Sequence, residues 1–241
     1  MENQENFLKF VCISDTHNKA HLLNLPKGDI LIHAGDFSNT GLPEEVAKFN
    51  DFLKNSPFEA KIVVAGNHDL TFDIENYSNN LAKRFHQKLK VPIDPVETKA
   101  LLKECIYLEN SLANIRGYQI YGTPFTPTYH DWAFNLNIGE PLQKKWEQIP
   151  SNTDILITHG PPHQILDSCK NGQQAGCPDL RKTVLERVKP LYHIFGHIHE
   201  AAGQKKIENT NFINASSVDL KRNTTDKNIF TFQLPVRQEL N

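Results

Sequence analysis

Apolar runs that stop abruptly at polar clusters recur five times along this chain. Phe10-Val11-Cys12-Ile13 precedes Asp15-Thr16-His17, Ile30-Leu31-Ile32-His33 precedes Gly35-Asp36, and Ile62-Val63-Val64-Ala65 precedes Gly66-Asn67-His68-Asp69. Farther on, Ile155-Leu156-Ile157 leads to His159-Gly160, and Tyr192-His193-Ile194-Phe195 leads to Gly196-His197-Ile198-His199. Short runs rich in β-branched residues predict buried strands, and the glycines let the backbone turn sharply where the strands end. In open α/β sheets the carboxyl ends of strands border the crevice where ligands bind. The five polar clusters are therefore expected to meet in one place.

The intervening segments predict the helices that return the chain between strands. Pro43 opens one, with Val46, Phe49 and Leu53 on a single face, and completes a β-α-β unit between strands at 29–33 and 61–65. Leu81, Phe85 and Leu89 repeat at helical spacing, and after Pro92 and Pro95 a second helical stretch is expected from Val96 to Cys105. Ile106–Leu108 and Tyr118–Tyr121 predict a hairpin around Asn114–Gly117, which implies a second sheet with antiparallel character. Residues 122–137 are too irregular for either element; their aromatic side chains either stack on a ligand ring or pack on one another. A polar loop at 168–177 is placed to lie over the pocket, Pro178 opens a helix carrying Leu180, Val184, Leu185 and Val188 inward, and strands at 212–215 and 229–234 close the fold. The expected organisation is a polar tail at 1–6 and one α/β domain at 7–241.

Composition narrows the class. A net charge of -2 with 22% charged residues gives no extended nucleic-acid surface and no electrostatic attraction to a membrane. No apolar run approaches the ~20 residues needed to span a bilayer. The polar, acidic start lacks the basic and apolar regions of a secretory signal. Cys12, Cys105, Cys169 and Cys177 show no paired spacing and are expected to be reduced thiols of a cytoplasmic protein.

The strand-end clusters carry the chemistry. Asp15, His17, Asp36, Asn67, His159, His197 and His199 form a mixed nitrogen and oxygen donor set, which suits manganese, iron or zinc better than magnesium or calcium. Seven side chains exceed the needs of one ion. Two divalent ions ~3.5–4 Å apart, sharing one carboxylate, would use them all, and such pairs activate water and neutralise phosphoryl charge in phosphoester cleavage. His33 and His193 lie inside apolar strands and are expected to be core groups, His21, His86 and His130 surface or loop residues, and His163 a candidate for substrate contact.

The ordered set Asp15-x-His17, Gly35-Asp36, Gly66-Asn67-His68-Asp69, Thr158-His159-Gly160-Pro161-Pro162 and Gly196-His197-x-His199 resembles the calcineurin-like metallophosphoesterases over residues 7–234. It is most similar to the metallophosphoesterase-domain-containing subgroup related to class III cyclic nucleotide phosphodiesterases. The resemblance implies a four-layer α-β-β-α sandwich of two mixed sheets flanked by helices. It implies that Asp15, His17, Asp36 and His199 hold one metal ion, manganese first and iron or zinc otherwise. Asp36, Asn67, His159 and His197 would hold the second, with Asp36 bridging. His68 would face the substrate as the catalytic residue that stabilises the transition state or protonates the leaving oxygen. Asn39 departs from the family, which often has an aspartate there to support the histidine; Asp69 either substitutes or braces the turn. The expected activity is hydrolysis of cyclic nucleotides or related small phosphodiesters by metal-activated hydroxide. A phosphomonoesterase or phosphoprotein phosphatase, or a nucleotide-binding module with little turnover, is the alternative.

Overall fold

Buried side chains on both faces of the central strands dictate a layered molecule, because each face needs its own partner. In the computed structural model, which describes residues 7–219, 221 and 223–237, strand β1 (Phe7–Ile13) shows this directly. Phe10 and Cys12 pack to one side against Ile120, Ile157 and Ile194, whereas Val11 and Ile13 pack to the other with Val46, Phe49 and Leu53. The predicted tail at 1–6 and the last residues of the predicted domain lie outside the described residues.

The first sheet has the order β13 (Phe230–Pro235), β1, β2 (Ile30–Ala34), β3 (Ala60–Val64), β4 (Ile106–Tyr107), parallel throughout except for β13. The second has the order β11 (Gly203–Ile207), β12 (Thr210–Asn214), β10 (Tyr192–Phe195), β9 (Ile155–Thr158), β6 (Tyr118–Thr123), β5 (Ser111–Ile115). Its four inner strands are parallel and its two edge strands antiparallel. A large apolar core fills the space between the sheets. Helix α1 (Pro43–Asn55) and the helical segment α2 (Ile74–Asn76), which widens into a π-helical stretch at Tyr77–His86, cover the outer face of the first sheet. The short α3 (Pro95–Lys99) lies on the same side, while α4 (Glu140–Glu147) and α5 (Pro178–Lys182), continued by a π-helical stretch at Thr183–Val188, cover the second. The architecture is the expected α/β sandwich of two mixed sheets flanked by helices.

Several local expectations are corrected. The helix expected over 96–105 stops at Lys99: Asp94 caps its start, accepting from the amides of Val96 and Glu97, while Asn50 captures the amides of Lys103 and Glu104 and draws the chain out of helical geometry. Ile106–Tyr107 pairs with β3 in the first sheet, and the hairpin partner of β6 is Ser111–Ile115 around a turn at Arg116-Gly117. The segment at 122–137 contains a small parallel pair, β7 (Thr126–Pro127) and β8 (Asn135–Leu136). Residues 168–177 form a tight turn bridged between Ser168 and Gln174, tied to Glu200 through the Lys170 amide at 2.7 Å.

The two sheets are stitched together at one end. Just past β1, Ser14 bridges to Ser216, beyond β12, and the Ser217 amide donates to the Ser14 carbonyl at 2.8 Å. This junction is where the polar clusters gather.

Candidate metal centre

The backbone at the gathered strand ends is unusual. Asp15, His17, Asp36 and His197 all have positive φ, between 42° and 69°. L-residues enter that left-handed region at a steric cost, and such strain persists only where surrounding contacts over-determine it. Here they do. The Asp15 amide donates to the Gly35 carbonyl (2.8 Å), the His17 amide to the Asp36 carbonyl (3.0 Å), and the His197 amide to both Asp15 carboxylate oxygens (3.0 Å each). Gly35 and Gly196 are required by close approach: a Cβ at Gly35 would strike the His159 ring, and one at Gly196 would strike the Asp15 carboxylate and the Ser14 hydroxyl.

Three groups of side chains, each with ligand atoms within 4.8 Å of one another, result: Asp15, His17 and His199; Asp36, His159 and His197; and His17, Asp36 and His68. His17 and Asp36 each belong to two of them, so the group they share with His68 links the other two. In the first, the His199 Nε2 atom lies 3.3 Å from both Asp15 Oδ1 and His17 Nε2. In the second, His159 Nε2 lies 3.4 Å from Asp36 Oδ1 and 2.9 Å from Asn67 Oδ1, which brings Asn67 to the same point. All seven predicted ligands are therefore together. Every one except His197 and His199 is buried.

Burial and charge set the protonation states. Burial pushes the His17 ring down to about 4 and the His197 ring down to about 3, so both are neutral donors near pH 7. Burial acts against the two carboxylates as well, but His199 holds Asp15 below the ordinary range and His159 holds Asp36 well below it. Burial also opposes charge on His159, yet the adjoining Asp36 carboxylate outweighs it and lifts the ring to about 9. The two buried carboxylates thus draw positive charge to the centre from whatever group can carry it.

A family model for calcineurin-like phosphoesterases matches residues 8–201. The chain belongs to that family. It is 47% identical over 216 residues to human metallophosphoesterase domain-containing protein 1, covering 87% of this chain and 66% of the relative, just under two thirds of its length. It is 40% identical over 229 residues to a Caenorhabditis elegans protein of the UPF0046 group, covering 95% and 76%. A solved crystal structure superposes with a TM-score of 0.62 over 96% of this chain and 100% of its own, at 16% identity, which shows the fold alone.

The residues of this metallophosphoesterase fit a pair of divalent ions. The His17 Nδ1 atom is buried with no hydrogen-bond partner, and the opposed His17 and His199 Nε2 atoms are both served if they share a cation instead of a proton. His159 Nδ1 donates to the Ala34 carbonyl at 2.9 Å, which leaves the Nε2 lone pair of the neutral ring for a metal. His33 and His193 are buried core groups, as expected, and each braces a threonine next to a ligand: His33 with Thr16 at 2.9 Å, His193 with Thr158 at 2.8 Å. His21 and His130 are exposed, and His86 pairs with the Tyr77 hydroxyl. His163 belongs to none of the three groups; its ring lies 3.7 Å from Asp167. All four cysteines are free, and Cys177 caps α5 through its sulfur.

The structure decides between two pairs of alternatives that the sequence leaves open. Asp69 does not support His68; it accepts from the amides of Asp36, Ser38 and Gly66 and from the Ser38 hydroxyl, so it braces the turn. Trp132, from the aromatic loop, packs at a tilt with its ring centroid 4.3 Å from that of His68 and 4.6 Å from that of Phe85, while Phe134 is buried in the core and Tyr129 is exposed. The loop therefore packs largely on the molecule itself, with one ring placed against the centre. Apart from the Asp69–Gly66 bond, which spans three residues, these contacts carry no local sequence signal, since they join segments more than 30 residues apart.

Proposed function

We propose that this metallophosphoesterase is a dinuclear, metal-dependent phosphodiesterase acting on cyclic nucleotides or related small phosphodiesters. The observation that carries the reading is that His17 connects the Asp15, His17 and His199 group to Asp36, and Asp36 in turn belongs with His159 and His197, which suits a carboxylate bridging two ions. In this reading Asp15, His17, Asp36 and His199 hold the first ion, and Asp36, Asn67, His159 and His197 the second. Their mixed nitrogen and oxygen donors favour manganese, with iron or zinc as alternatives. Bound there, such ions would polarise the phosphoryl oxygens and lower the pKa of a coordinated water.

The protein's own part is position and proton control. His68 is assigned to the substrate because the seven other side chains complete both sets without it. Its Nδ1 donates to the Asn39 carbonyl at 2.7 Å, so Nε2 is the nitrogen left to the substrate, and it hands a proton to the leaving oxygen from the doubly protonated ring. The side chains gathered at the centre are carboxylates, imidazoles and an amide; a monoanionic diester asks for less added positive charge than a dianionic monoester, which supports the diester. The Trp132 ring beside His68 offers an apolar wall for a ring-bearing leaving group. Four free thiols support a reducing compartment such as the cytoplasm. Among the described residues no helix is long and apolar enough to cross a membrane.

The test is to strip the protein of metal, reload it with manganese and compare bis(4-nitrophenyl) phosphate with 4-nitrophenyl phosphate, then cyclic with linear nucleotides. Metal-dependent cleavage of the diesters is the expected result. Preference for the monoester would make the protein a phosphatase, and no turnover with two metals bound would make it a binding module.

A further inference from the structure

We propose that Glu45 is a positioning residue for His68, acting through the main chain of Asn39. The inference rests on the reading of His68 as the proton donor, and it assigns to the loop at 39–42 and the first turn of α1 a role in setting that ring.

Glu45 is the third residue of α1 and is 5% exposed. Its carboxylate collects four N–H groups: the Asn39 amide (3.3 Å) and side-chain amide (2.8 Å) on Oε1, and the amides of Thr40 and Leu42 (3.1 Å each) on Oε2. Just upstream, Asp69 holds Ser38 by its amide (2.9 Å) and hydroxyl (2.6 Å). The loop is thus pinned at both ends by buried carboxylates. What it presents to His68 is the Asn39 carbonyl, 2.7 Å from Nδ1. The Asn39 side chain is committed to Glu45, so at the position where an aspartate could have supported the histidine, the support comes from the backbone.

A carbonyl can only accept, so the Nδ1 proton is fixed and Nε2 is left to exchange a proton with substrate. The tilted contact with Trp132 and the edge contact with His17 restrict the plane of the ring more than its rotation within that plane. The hydrogen bond to Asn39 sets the rotation. A carbonyl in a loop keeps its direction only while the loop is held, and Glu45 supplies most of the hold.

Histidine side-chain NMR on the metal-free protein and kinetics on the manganese-loaded protein with bis(4-nitrophenyl) phosphate test this together. In wild type the His68 ring should report a single Nδ1–H tautomer, and in Glu45→Ala a mixture. Glu45→Ala should lower kcat ~10–100-fold, the scale of a misplaced catalytic group, with metal content unchanged and KM within about twofold. The effect should vanish in the His68→Ala background, because a residue acting through His68 has nothing left to position. Asn39→Asp should also lose activity, since it sets a carboxylate against Glu45. Three results overturn the proposal: an unchanged tautomer in Glu45→Ala, an undiminished loss in the His68→Ala background, or a gain in Asn39→Asp. If Glu45→Ala does not fold, Glu45→Gln, which keeps one accepting oxygen, is read the same way and should fall between wild type and the alanine effect. If wild type cleaves no ester the functional reading fails, while the tautomer measurement still decides the role of Glu45.

Discussion

All the oxygen donors of the candidate metal centre come from the first sheet, and the second brings nitrogen alone. Asp15, Asp36 and Asn67 extend from the first, together with His17 and His68, whereas His159, His197 and His199 extend from the second. The difference shows in how each edge is held. Buried carboxylates must be surrounded by donors, so the first edge is a mesh of backbone amides turned inward: those of His68 and His197 reach Asp36 and Asp15, and those of Asp36, Ser38 and Gly66 reach Asp69. An imidazole needs fewer partners, since a single acceptor fixes the ring, as Ala34 does for His159. Many of these bonds cross between the sheets. Asp15 takes donors from His197 and Ser216, and His159 donates back to Ala34. Neither edge is a binding site by itself.

The largest test of this division is Asp36→Ala, which removes the one side chain common to both sets. It should lose both metals and, with them, more than ~1000-fold in kcat/KM. His197→Ala should leave the Asp15, His17 and His199 group able to hold one ion. Metal content by mass spectrometry separates the two; equal metal loss would mean that the edges are not divided as described. Next in size, His68→Ala should cut kcat ~100- to 10,000-fold while two metals stay bound, the range expected for a lost general acid.

Stability should also differ between the edges. Asp69→Ala strands three buried amides, each costing about 1–3 kcal/mol, so several kcal/mol should be lost in chemical denaturation. Thr158→Val, at the second edge, removes the partner of His193 and the donor to the Gly160 carbonyl and should cost about 1–3 kcal/mol. Comparable losses would erase the distinction between a meshed and a sparsely held edge.

The smallest effect concerns the device the edges share, a buried histidine bracing a threonine. Burial pushes both His33 and His193 down to about 3, from 6.5 in an exposed ring. The unfolded chain then binds protons that the folded one refuses. Their contribution to stability is complete above about pH 6.5 and fades as pH falls toward 3, by about 1.4 kcal/mol per pH unit for each ring. His193→Gln should flatten the acid limb of the stability curve by that slope, measured by denaturation between pH 6 and 4. An unchanged slope would mean that His193 is not the group being protonated.

Much of this arrangement could be read from the chain because it is local. An apolar run followed by a turn and a polar cluster announces a strand and what stands at its end, and five such announcements were enough to assemble the ligand set. The stripe of Val46, Phe49 and Leu53 likewise matches the buried face of α1. What could not be read depends on distant choices. Ile106–Tyr107 joins β3 instead of forming a hairpin because pairing of short apolar segments is decided by the sheet they meet. Helix α4 is short, with only Leu142 and Trp146 buried, and gains its place from packing on the second sheet. Glu45 reads as an ordinary acidic residue in the first turn of a helix, and its four bonds become visible only when the preceding loop is seen folded back over it.

The serine junction between the sheets also puts the molecule's parts in an order of birth. Asp15 leaves the ribosome well before His197 and Ser216, which satisfy its carboxylate and follow 182 and 201 residues later. A nascent chain can complete the first strands and helices long before it owns the gathered cluster. Until those two residues emerge, it carries an acid destined for burial whose partners have not yet been made.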